Sequence, residues 1–177
     1  MRKSVICFTL LLIPLLMSAC ARKKHEIETP AVGMPNPIKE SSAEEIKQTL
    51  GFQFSVPDDS SNVQYSIIGG TLAQMDFVWK ESKCTARIKK SSSVETEDIS
   101  GFYYNWSNET SGTVANNPSQ IKWKITDVGD IVGICIWKDK SSDLTYSVSM
   151  RQHADSVKLA ELANAIYVVN AVKVLLE

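Results

Sequence analysis

Phe102, Tyr103, Tyr104 and Trp106 place four rings in five consecutive positions. Rings at that density either fill a core or offer stacking faces to a ligand. In an extended segment Phe102, Tyr104 and Trp106 fall on one side and Tyr103 on the other, so one core cannot take all four. One reading is a stacking surface for a sugar, peptide or lipid; the other is packing beneath a helix or loop. Cys84 and Cys135 are a second candidate group. Outside the cytoplasm they can form one disulfide, or they can serve as small buried hydrophobes in their strand-like segments. Glu95, Glu97 and Asp98, with Ser93, Thr96 and Ser100 beside them, are hard oxygen donors of the kind that hold Ca²⁺. The same composition describes a solvated loop, and no metal or cofactor is assigned.

Catalytic constellations are scarce. His25 sits in a polar N-terminal stretch, which leaves His153 as the one imidazole near the folded part, and its place just before an apolar helical run reads as a turn. No G-x-S-x-G, H-E-x-x-H, G-x-x-x-x-G-K-[ST] or C-x-x-C occurs, so serine hydrolase, metalloprotease, phosphate-loop and thiol-redox chemistries lack their minimum parts. The expectation is a non-enzymatic protein with no catalytic residue.

Arg2 and Lys3, an apolar stretch from Val5 to Met17 interrupted by Pro14, and the small residues Ser18 and Ala19 before Cys20 read as a secretory signal. The run is too short for a spanning helix, which needs about twenty apolar residues. Met17-Ser18-Ala19-Cys20 resembles the lipobox of bacterial lipoproteins, with Met17 where that pattern usually has Leu. The resemblance implies removal of residues 1–19, diacylglycerol on Cys20 and acylation of the new amino terminus. The protein is then lipid-anchored at the extracytoplasmic side of the cell membrane. Ala19-Cys20-Ala21 also fits the A-x-A shape of an ordinary signal-peptidase site, which would release the chain without its cysteine. Losing the signal takes two of the 19 basic residues and none of the 20 acidic ones, leaving a charge of about −3. Such weak acidity predicts neither nucleic acid nor anionic headgroups as partners. The membrane, through lipid on Cys20, is the partner expected; a ligand or protein partner is not named.

Residues 20–37 read as a tether, polar and holding Pro30, Pro35 and Pro37. Residues 38–177 read as one domain. Ser41-Ser42-Ala43-Glu44-Glu45 carries a capping-box pattern for a short helix that stops at Gly51. Strands are predicted at Phe52–Val56, Val63–Ile68, Thr71–Lys80, Cys84–Lys89, Phe102–Asn108, Gln120–Thr126, Ile131–Trp137 and Asp143–Met150 from apolar alternation. The stretches at Gly69-Gly70, 127–130 and 139–142 read as hairpin connections. Ile131–Trp137 is apolar on both faces, which places it centrally with both faces covered. From Ser156 to Leu176 there is no Gly or Pro, and Leu159, Leu162, Ala163, Ile166, Val169 and Val172 follow helical spacing, with Asp155 or Ser156 as cap. The predicted fold is α+β: an antiparallel sheet of about six to eight strands, a short N-terminal helix and a long C-terminal helix packed on it.

The order of these pieces resembles a domain of unknown function found in lipoproteins of Firmicutes and in the extracytoplasmic regions of some anti-sigma factors. The residues that carry the resemblance are Asn36-Pro37-Ile38, Leu50 to Pro57, Thr96 to Gly101 with Tyr104, and Leu144 to Ser149. Asp58-Asp59-Ser60-Ser61 departs from the longer loop of those relatives. The resemblance implies the anchored α+β domain and no activity. The function expected is a binding or sensing module, with a lipid carrier of half-barrel form as the alternative; that form needs an open apolar cavity.

Overall fold

Among the described residues the chain forms eight strands and two helices. The computed structural model describes residues 37–174, with side chains as far as Ala171. The signal, Cys20 and the tether up to residue 36 lie outside the described residues, as do the side chains of Val172 and Lys173. In chain order the elements are β1 (Ile38–Ser41), α1 (Ala43–Leu50), β2 (Ser61–Ile68), β3 (Leu72–Trp79), β4 (Ser82–Lys90), β5 (Asn108–Val114), β6 (Asn117–Ile125), β7 (Ile131–Asp139), β8 (Leu144–Met150) and α2 (Ser156–Val174). Every pairing is antiparallel, in the order β1-β2-β3-β4-β8-β7-β6-β5. Two four-stranded meanders therefore meet at β4 and β8 in the middle. The segment 91–107 carries the chain from the centre to the far edge.

Cross-strand register sorts the two faces. Met75, Ala86, Val148, Cys135 and Ile121 form one row across five strands, and all are buried. Trp137 stacks on Tyr146 in the next row, rings 4.9 Å apart. Leu159, Leu162, Ala163 and Ile166 of α2 seal this face. Asp155 caps the helix, its carboxylate accepting from the Lys158 amide at 2.7 Å. At Gly133 on β7 the helix packs directly on the sheet: a Cβ there would stand 2.6 Å from Leu159 Cδ1. At the other end of the chain Ser42 caps α1 by accepting from the Glu45 amide, and Gly51 ends it in the left-handed region.

The opposite face is polar on β3, β4 and β8, through Gln74, Asp76, Thr85, Arg87, Ser147 and Ser149, and apolar on β7, through Val132, Ile134 and Ile136. All of β7 beyond Ile131 is buried. The covering of this second face includes the crossover 91–107, in which Ile99 and Ser100 are buried. Its start is anchored by the buried Lys138 ammonium, which donates to the carbonyls of Ser91, at 2.9 Å, and Ser93.

Two expectations need correction, and of the two readings of Cys84 and Cys135 the structure has the buried-thiol one. Phe52–Val56 is not a strand: Phe54 is buried, but the Ser55 amide and carbonyl both pair with the side chain of Asn170 on α2, at 2.8 and 3.0 Å. Phe102–Asn108 is not a strand up to residue 107; it belongs to the crossover, and pairing starts with β5. Cys84 and Cys135 are free, buried thiols. They face the same side, but Cys84 pairs with Met150 and Cys135 with Val148. β8 thus lies between them, and two strand spacings of about 4.8 Å exceed the reach of a disulfide.

Candidate functional site

The crossover brings the aromatic segment against the polar face of the sheet. Phe102, Tyr104 and Trp106 form a ladder of rings at 5.9 and 5.4 Å, the second contact edge-on. Tyr103 stands outside this ladder and is 89 % exposed. Cations lie over two of the rings: Arg151 over Phe102 at 5.5 Å and Lys124 over Tyr104 at 5.7 Å, both within cation–π range.

Beside this ladder opens a cleft of about 820 Å³. Its sheet side is Gln74, Thr85, Arg87 and Val132, with Arg151 just past the end of β8; its walls are Gly101 to Tyr104 and the turn between β6 and β7, including Asp127, Val128 and Asp130. Arg87 is held in place by neutral partners. Its Nε donates to Gln74 Oε1 at 2.7 Å and its Nη1 to the Ile99 carbonyl at 3.1 Å. Asp76, the nearest acid on β3, already accepts from Gln74 at 2.7 Å and from Thr85 at 2.6 Å. Among the described residues neither Arg87 nor Arg151 forms an ion pair. Burial lowers the Arg87 pKa from its ordinary value; Asp76 opposes that shift, and the like charge of Arg151 adds to it. The guanidinium remains charged, at a site that makes the charge costly.

The site residues expected from sequence divide accordingly. Phe102, Tyr103 and Tyr104 line the cleft, and Trp106 supports it from the end of the ladder. Arg87, Arg151, Gln74, Thr85 and the 126–130 turn were not among the expected residues. Cys84 and Cys135 sit in the core away from the cleft, and burial pushes both thiols up to about 12. Of the acidic stretch, Glu97 pairs with Lys89 at 3.0 Å and Asp98 accepts from the Ser100 amide at 2.9 Å. No three potential metal ligands cluster among the described residues. His153 is exposed in the turn before α2, with φ of 56°.

No family model, curated protein or solved structure matches the chain. No helix among the described residues is long and apolar enough to cross a membrane.

Proposed function

We propose that the chain is a non-enzymatic binding module, held at the outer side of the cell membrane by lipid on Cys20, whose ligand occupies the cleft between the aromatic ladder and the polar face of the sheet. The observation that supports this most is the convergence in one opening of exposed aromatic and aliphatic side chains with two guanidiniums that form no ion pair among the described residues. Binding sites combine apolar walls with a few placed polar groups in this way. Membership of the lipoprotein family resembled by Leu50 to Pro57 belongs to the same proposal. A half-barrel carrier is the weaker reading, because Met75, Trp137, Met150, Leu162 and Ile166 pack the core between the sheet and α2, and the hollow of about 650 Å³ beside α2 lies towards α1, bordered by Phe52 and Tyr167.

Two measurements test it. Metabolic labelling with a fatty-acid analogue should mark the wild type and not Cys20→Ser; equal labelling refutes the anchor. A ligand of the module should slow amide exchange in 99–106 and 126–132 and be recovered chemically unchanged. Protection confined to the α2 side, or conversion of the ligand, refutes the site.

A further inference from the structure

We infer that the cleft is built for a ligand with one localised negative end, a carboxylate or phosphate held by Arg87 and Arg151, and an apolar body lying against Phe102, Tyr103 and Val128. This rests on the binding reading above and adds the ligand's chemical class.

Charge comes first. Desolvated charges in proteins are normally paired, because an unpaired one costs several kcal/mol. Arg87 is partly buried, and its hydrogen bonds go to an amide oxygen and a carbonyl. A second arginine, Arg151, lines the same cleft and forms no ion pair among the described residues. Asp76 offsets part of the cost of the Arg87 charge, but its carboxylate oxygens already accept from Gln74 and Thr85, and the like charge of Arg151 works against it; an entering anion would relieve that repulsion, and the planar guanidinium forks match the two oxygens of a carboxylate or phosphate.

Shape and the remaining charges narrow the class. Gln74 and Ile99 fix the Arg87 fork, so little order is lost when a ligand arrives. Tyr103 and Val128, 89 and 85 % exposed, both line the cleft and give it apolar surface that a ligand can cover. Asp127 and Asp130 on the β6–β7 turn also line the cleft. They disfavour a ligand that is negative along its whole length, and so argue against a polyanion and for a single anionic end.

The test is titration of the full chain, in a non-ionic detergent, with inorganic phosphate, phenyl phosphate, 3-phenylpropionate, the uncharged 3-phenylpropanol, the cation phenethylamine and a short-chain phosphatidic acid. Phenyl phosphate and 3-phenylpropionate are expected to bind saturably, with the alcohol and amine at least tenfold weaker. Arg87→Gln and Arg151→Gln should each weaken the anions about tenfold, the equivalent of about 1.4 kcal/mol. Arg151 is exposed, and its side chain lies over the Phe102 ring, so its variant stays readable if Arg87→Gln loosens the crossover. Tighter binding of the phosphatidic acid than of phenyl phosphate assigns a lipid headgroup as the source; the reverse assigns a free small anion. Equal binding of alcohol and anions, or anion binding untouched by Arg151→Gln, overturns the inference. If in that case Val128→Ser abolishes binding, the cleft remains a ligand site of another class. No binding of any probe up to about 10 mM, weaker than an ordinary small-ligand affinity, overturns both.

Discussion

The Arg87 guanidinium fills the space that a side chain at Gly101 would need. A Cβ built on Gly101 would stand 2.0 Å from Arg87 Nη1 and 2.8 Å from its Cζ. Gly101 also has φ of 71°, a conformation that costs other residues energy. One glycine thus turns the crossover and lets it close over the arginine at the cleft's floor.

Gly101→Ala is therefore expected to do two things together. Urea unfolding should report a loss of about 1–3 kcal/mol from the backbone conformation. Arg87 should also be displaced, so that phenyl phosphate binding falls with stability. A variant with wild-type stability and wild-type binding would mean that Arg87 does not rest on Gly101.

The two core thiols predict an alkaline weakness. Cys84 and Cys135 are raised from 9.0 to about 12 by burial, so the folded state keeps protons that the unfolded chain gives up. Their contribution is fully present below about pH 9 and is lost as pH rises towards 12. The melting temperature should fall across that window, and less steeply in Cys135→Ala compared at matched starting stability. Both thiols should alkylate only after unfolding, with or without reductant. A mass shift that requires reductant would establish a disulfide and contradict the strand register.

Helix α2 should behave as the seal of the sheet. Leu162→Ala removes a fully buried side chain and is expected to cost roughly 2–5 kcal/mol. Gly133→Ala should also destabilise, because its Cβ would meet Leu159 Cδ1 at 2.6 Å and the Lys122 carbonyl at 3.0 Å. Lys158→Ala, on the exposed side, should stay within about 0.5 kcal/mol. Differential scanning fluorimetry ranks the three; equal melting points for Leu162→Ala and Lys158→Ala would mean that α2 is not docked.

Strands with a buried face were legible because their alternation is clean: β3 runs half-buried, buried, half-buried, buried along its length, and its sequence says so. The two edge strands were not. β1 (IKES) and β5 (NETSGTV) are short or polar and mostly exposed, which guards a sheet edge against pairing but erases the hydrophobic signal. The turns Lys80-Glu81 and Ala115-Asn116 are left-handed at both positions, a hairpin geometry that glycine usually announces. Phe52, Phe54 and Val56 alternate as a strand would, yet their segment's pairing partner at Ser55 is a side chain, Asn170, which no local pattern reveals. The same reason hid half of the cleft. Four clustered rings stand out in a sequence, whereas Arg87, opposite Ser147 on β8, and Arg151, four residues beyond Ser147, come to line one cleft only once β4 and β8 are paired.

The most direct test of the cleft as an anion site is the side-chain Nε–Hε resonance of Arg87, ordered by its 2.7 Å bond to Gln74. Nuclear magnetic resonance titration with phenyl phosphate should move that signal and the amides of Gly101 to Tyr104 in step, saturating together, while Leu162 and Ile166 on the helix face stay in place. An unmoved Arg87 signal with shifts gathered instead around Phe52 and Tyr167, which border a separate hollow between α1 and α2, would contradict it.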